Sequence, residues 1–130
     1  MTVFDPIPPD VEGTVSACIG AAIAVHRELG PGYREVIYKR AYCLELDSRG
    51  LRFECEKAVL VRYRDWLIPG QRLDLVVSDS VIVEIKAVPR LLRRHERQLL
   101  SYMKSASCRI GLLMNFNATL LRDGLKRKVL

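Results

Sequence analysis

Two short apolar runs, each broken by a single acid, restrict this chain more than anything else in it. Arg72-Leu73-Asp74-Leu75-Val76-Val77 and Val81-Ile82-Val83-Glu84-Ile85-Lys86-Ala87 both read as strands, and the tight turn Ser78-Asp79-Ser80 makes them neighbours. Strand interiors exclude unpaired charge, because burying it is costly. Glu84 and Lys86 are two apart and share a face. Antiparallel pairing across the turn would set Asp74 beside Glu84, where two carboxylates repel and one takes up a proton unless a cation intervenes. Two arrangements meet that demand. One is a buried Glu84–Lys86 ion pair with Asp74 at an exposed strand end. The other is a site for a hard divalent cation such as Mg²⁺ or Mn²⁺, which prefers carboxylate oxygens.

The 130 residues fit a single domain, 1–130, and 49% are hydrophobic, enough for a core. No apolar run approaches the roughly 20 residues that span a membrane; the longest, Val15 to Val25, is short and Ala-rich. The start, Met1-Thr2-Val3-Phe4-Asp5-Pro6, lacks the basic segment of a signal peptide, so the expected location is cytoplasmic. Residues 1–9, with Pro6, Pro8 and Pro9, are expected to be loosely ordered. Cys18, Cys43, Cys55 and Cys108 form no Cys-x-x-Cys pair and have no nearby histidine, which argues against zinc or iron–sulfur ligation and for buried, reduced thiols. The net charge of +6 permits an anionic partner. Arg90, Arg93, Arg94 and Arg97 cluster, as do Lys126, Arg127 and Lys128. Alone, such runs read as a solvated helix face and a tail; they gain weight only beside the acidic site.

Asp10 is a plausible N-cap for a first helix that ends near Gly30-Pro31. A second helix is predicted from Tyr33 to Ser48, with Val36, Ile37, Ala41, Leu44 and Leu46 as its apolar stripe. The period then shortens. Phe53 to Tyr63 alternates as a strand, Arg64-Asp65 suggests a turn, and Trp66 to Gly70 leads into the Gln71–Val77 strand. After the Val81–Ala87 strand, Pro89 blocks continuation, and Leu91 to Ser105 reads as a helix. The nearly continuous apolar run Arg109–Asn115 predicts an interior strand, and Leu125–Val129 a short last one. The order is ααβββαβ(β), an α/β class with a mixed central sheet flanked by helices.

Further polar residues gather around the acids. Gln98 and Tyr102 are four apart and share a face of the helix that leaves the Glu84/Lys86 strand. Glu35 and Tyr38 share a face of the second helix, and Glu35 lies in its first turn, where the dipole favours an acid. His26 and His95 are isolated and suit helix-surface or capping roles.

These residues together resemble a known family. Leu29-Gly30-Pro31-Gly32-x-x-Glu35-x-x-Tyr38, Arg72-Leu73-Asp74, Val83-Glu84-Ile85-Lys86-Ala87, His95-Glu96-x-Gln98-Leu99-Leu100-x-Tyr102 and Gly111-Leu112-Leu113-x-Asn115-Phe116 resemble, in order, the bacterial GxxExxY proteins of the PD-(D/E)XK nuclease superfamily. The resemblance implies the restriction-endonuclease-like PD-(D/E)XK fold. It also implies metal-binding acids at Asp74, Glu84 and Glu35, the active-site lysine at Lys86, and the RecB-type helix pair at Gln98 and Tyr102. Leu73 stands where the superfamily's name has proline. The implied activity is Mg²⁺- or Mn²⁺-dependent hydrolysis of DNA or RNA phosphodiesters, with Arg72, Arg90, Arg93 and Arg94 as nucleic-acid contacts. The alternative is a catalytically weak or inactive nucleic-acid-binding or protein-interaction module that keeps the fold. The small size leaves little room for a recognition domain, which motivates a homodimer or protein partner.

Overall fold

The computed structural model describes residues 5–130. Helices α1 (Pro9–Leu29) and α2 (Glu35–Ser48) precede strands β1 (Phe53–Tyr63), β2 (Trp66–Val77) and β3 (Val81–Lys86). Helix α3 (Arg93–Ala106), strand β4 (Ile110–Asn115), a 3-10 turn at Leu121–Gly124 and strand β5 (Leu125–Val129) follow. The five strands lie in sequence order in one sheet, antiparallel except for the β3–β4 pair, which α3 joins as a crossover. The expected mixed α/β order is therefore observed. Residues 1–4 of the expected loose start lie outside the described residues; the Asp5 carbonyl accepts a 2.7 Å bond from Arg109, and Pro9 begins the first helix.

Two apolar clusters sandwich the sheet. Leu75, Val77, Val81, Val83, Ile85, Leu112 and Met114 meet α1 and α2, while Leu73, Val76, Ile82 and Leu113 meet Leu99, Tyr102 and Met103 of α3. All six residues of β4 are buried, as an interior strand covered on both faces requires. Gly111 of β4 lets α3 approach closely: a Cβ there would lie 2.7 Å from Met103 Sδ and 2.9 Å from Leu99 Cδ1.

Three local expectations change. Helix α1 starts at Pro9 with Pro8 as its N-cap, because a proline at the first helical position supplies the required φ and loses no hydrogen bond; Asp10 sits in the first turn instead. Helix α2 buries Tyr38, Tyr42 and Leu46, spaced four apart, whereas Val36, Ile37 and Leu44 are 57%, 40% and 64% exposed. The tyrosines fill more volume and satisfy their polar ends: Tyr38 donates to the Gly30 carbonyl (2.6 Å) and Tyr42 to that of Cys18 (2.9 Å). Tyr38, otherwise without a role, thus closes the Gly30-Pro31-Gly32 turn and stacks on Phe116 at 5.1 Å. Finally, Cys55, on the edge strand β1, is exposed and Cys43, on α2, is half-buried; among the four cysteines only Cys18 and Cys108 are buried thiols.

Gly111→Val should overpack the α3–β4 contact and cost about 1–3 kcal/mol. Urea unfolding measures this, and an unchanged midpoint would show that α3 yields more freely than its packing implies.

Candidate active site

Strands β2 and β3 pair over only three residues, from Val77↔Val81 to Leu75↔Val83. Beyond that point β2 follows β1 and β3 follows β4, so the sheet forks. The next residues on the two arms are Asp74 and Glu84. Each carboxylate accepts a backbone N–H of the opposite arm: Glu84 Oε1 from the Asp74 amide at 2.8 Å, and Asp74 Oδ2 from the Ile85 amide at 2.9 Å. Side chains therefore replace the ladder bonds that the fork removes. Asp74 is 9% and Glu84 3% exposed, so neither acid lies at an exposed strand end.

The two acids face different layers. Asp74 Oδ1 receives an ion pair from Lys39 of α2 at 2.8 Å. The same ammonium lies 3.2 Å from Glu35 and 3.8 Å from Glu56. Burial pulls Lys39 down, but Asp74 and Glu35 outweigh it and hold the ammonium well above its usual pKa. Glu84 is on the α3 side, following the alternation from Ile82. Lys86 forms no ion pair with Glu84; its amine donates to Gln98 Oε1 at 3.0 Å. Burial, then the negative charges of Glu84 and Asp74, raise the Tyr102 hydroxyl above its usual pKa. All six residues singled out around the acids thus converge on the fork from α2, β2, β3 and α3.

A cavity of about 420 Å³ reaches this cluster from the α2–β1 side, where Lys39, Glu56 and Asp74 line it. A hollow of about 590 Å³ on the other side is lined by Arg72, Gln98 and Tyr102. Among the described residues, no three His, Cys, Asp or Glu side chains are arranged as they stand to hold a metal ion. Asp74, Glu35 and Glu56 surround an ammonium instead, and the donor set it gathers is all carboxylate oxygen, the chemistry of a hard-cation site.

The basic residues divide. Arg72 donates to the Glu56 carbonyl at 3.3 Å beside the fork. Arg90, Arg93 and Arg94 are exposed around the start of α3, without ion-pair partners among the described residues, and line neither opening of the site. The basic tail is partly neutralised: Lys126 and Lys128 pair with Glu96, and Arg127 with Glu12. Both histidines cap backbone: His95 Nδ1 accepts from the Leu92 amide (2.9 Å), and His26 Nε2 meets the Ala118 carbonyl (2.8 Å).

Lys39 and Glu56 were not anticipated. The Glu35–Lys39 spacing of four was a legible helix pair. Glu56 carried no signal, since it depends on a left-handed backbone (φ 52°) where β1 skips a pairing between Cys55↔Leu75 and Lys57↔Leu73.

A family model described as the PD-(D/E)XK nuclease superfamily matches residues 12–128. The chain belongs to that superfamily. Neither the curated proteins nor the solved structures gave a significant match. No helix among the described residues is long and apolar enough to cross a membrane.

Glu84 is pushed up to about 8, first by burial and then by Asp74, from 4.5 in the unfolded chain. Between these values the folded state holds a proton that the unfolded state has lost. Stability of the cation-free protein should therefore fall as pH rises through that window. Urea midpoints at about pH 5 and about pH 8 test this, and Glu84→Gln should flatten the difference. A wild-type midpoint that is level or rises with pH would contradict the assignment.

Proposed function

We propose that this chain is a single-domain, divalent-metal-dependent nuclease that hydrolyses phosphodiester bonds of DNA or RNA in the cytoplasm. The observation that carries this reading is the fork, where Asp74 and Glu84 lie within hydrogen-bond reach of each other's arm and Lys86 is held by Gln98. The superfamily match supports the reaction class. The order Gly32-x-x-Glu35-x-x-Tyr38 supports the GxxExxY branch, and Gln98-x-x-x-Tyr102 supports a RecB-like one.

Asp74, Glu84 and Glu35 would hold Mg²⁺ or Mn²⁺, with Glu56 as a further carboxylate in reach of the same cation. The ion would supply a water of lowered pKa and neutralise phosphate charge. Lys86 orients the attacking water and opposes the negative charge that develops on phosphorus oxygens. Gln98 fixes the Lys86 amine, which saves reorganisation during the reaction. Tyr102, kept neutral, offers a hydroxyl donor on the same side. Arg72 stands beside them as a phosphate contact, and the exposed Arg90, Arg93 and Arg94 can meet more distant phosphates.

With Mg²⁺ or Mn²⁺ the purified protein should cleave nucleic acid. Lys86→Ala should slow cleavage by about a hundredfold or more while leaving Tm unchanged, since its amine only meets Gln98 at the surface. Equal rates for the two proteins would sink the nuclease reading. One observation favours the second reading, a binding module: Lys39 already compensates the acids. Calorimetric titration separates them. Mn²⁺ binding that Asp74→Asn abolishes supports the nuclease, and no binding at millimolar Mn²⁺ supports the module.

A further inference from the structure

The β1–β2 hairpin runs past the rest of the sheet and ends in an aromatic pair that nothing covers. Tyr63 and Trp66 are cross-strand partners flanking the Arg64-Asp65 turn, with rings stacked at 6.2 Å and 19°. They are 55% and 63% exposed. Exposing two large rings forgoes the burial that usually stabilises aromatic side chains, so a folding role does not explain them. Arg64 lies over the Tyr63 ring, 5.4 Å from its centroid.

Between this hairpin and α3 runs an open groove of about 760 Å³, lined in part by Arg62, Arg64 and Lys104. It shares a rim at Val61, Gln71 and Ser101 with the hollow that holds Arg72, Gln98 and Tyr102. A continuous path therefore leads from Arg64, which packs on the Tyr63 ring, to the α3 side of the fork. No acid lines either part of it. Asp65 in the turn is the only acid between Lys57 and Leu73. Among the described residues, Arg62, Arg64, Arg72 and Lys104 form no ion pair, although most acids around the fork and on the tail-facing surface do.

Four unpaired cations on an acid-free path fit a polyanion, and uncovered rings at its end fit unstacked bases. A duplex satisfies only the first of these, because its bases are already stacked on one another. We infer that this groove binds a single-stranded segment of nucleic acid, with phosphates along Arg72, Arg62, Arg64 and Lys104 and a base on the Tyr63–Trp66 platform. This rests on the nuclease reading for its purpose, delivery of a strand to the fork, but not for its test. Gln71 to Trp66 spans about 17 Å at roughly 3.4 Å per strand residue. That matches about five stacked nucleotides at about 3.4 Å each.

Trp66 is the only tryptophan of the chain, so its fluorescence reports this platform alone. Oligo-dT and oligo-rU of about ten nucleotides, titrated into the protein in EDTA, should quench it, whereas a trinucleotide and a blunt duplex should not. The logarithm of affinity should fall with the logarithm of salt with a slope near −3, as four neutralised phosphates on a single strand give. Arg62→Ala with Arg64→Ala should reduce that slope by about 1.4. Trp66→Ala, which alters a mostly exposed side chain, should weaken binding of a labelled oligomer roughly tenfold in anisotropy.

Absence of quenching, an unchanged slope in the arginine variant, or equal quenching by the duplex would overturn the inference. So would wild-type self-association that Trp66→Ala abolishes, which would assign the rings to a protein interface. Binding in EDTA is read without cleavage, so failure of the nuclease reading is registered separately, in the Lys86→Ala comparison.

Discussion

The separation of β2 from β3 after Leu75↔Val83 is the constraint on which the site depends. A fork inside a buried sheet orphans backbone amides, and each such group costs about 1–3 kcal/mol if left unpaired. Here Glu84 and Asp74 accept the amides of Asp74 and Ile85 across the gap. This explains how two acids persist in otherwise apolar strands: they terminate a ladder. The same bonds fix both acids at the point where the sheet parts, with Asp74 turned to Lys39 of α2 and Glu84 to the α3 side. Burial and then their mutual repulsion are the unresolved cost, visible in the raised pKa of Glu84, and Lys39 pairs with Asp74.

The fork also gives the domain two working sides. Toward α2, Lys39 joins Asp74 to Glu35 and Glu56, and Lys39, Asp74 and Glu56 line a cavity of about 420 Å³. Tyr38 supports this side by bonding the Gly30 carbonyl and stacking on Phe116, which fixes the start of the helix that carries Glu35 and Lys39. Toward α3, Lys86, Gln98 and Tyr102 line up with the open basic path. Gly111 sets the distance on that side, since only a missing side chain lets Met103 and Leu99 seat α3 against β4. The acidic cluster and the basic path thus lie in different layers that meet at Asp74 and Glu84.

Much of this was legible in the residues. The change from helical to alternating period, the turn at Ser78-Asp79-Ser80 and the continuous apolar run of β4 lead to the observed order of elements. The interrupted runs put Asp74 and Glu84 opposite each other but not the parting of the strands there, and the spacing of Gln98 and Tyr102 placed both on α3. The buried stripe of α2 was not legible, because its tyrosine hydroxyls find their backbone acceptors only in the folded chain. Glu56 stands opposite Asp74 in an unbroken β1–β2 register, but its left-handed backbone (φ 52°) is one that no local residue preference announces. The arginine cluster before and within α3 drew attention by density, yet the acid-free path along the hairpin draws its cations from three separate segments.

The central claim is that the fork holds a divalent cation where Lys39 now supplies the compensating charge. A crystal grown with Mn²⁺ and measured at its absorption edge tests this most directly. The account predicts an anomalous peak about 2.1 Å from oxygens of Asp74 and Glu84, with the Lys39 amine displaced from Asp74. Data showing no such peak at millimolar Mn²⁺, and Lys39 still paired with Asp74, would contradict it.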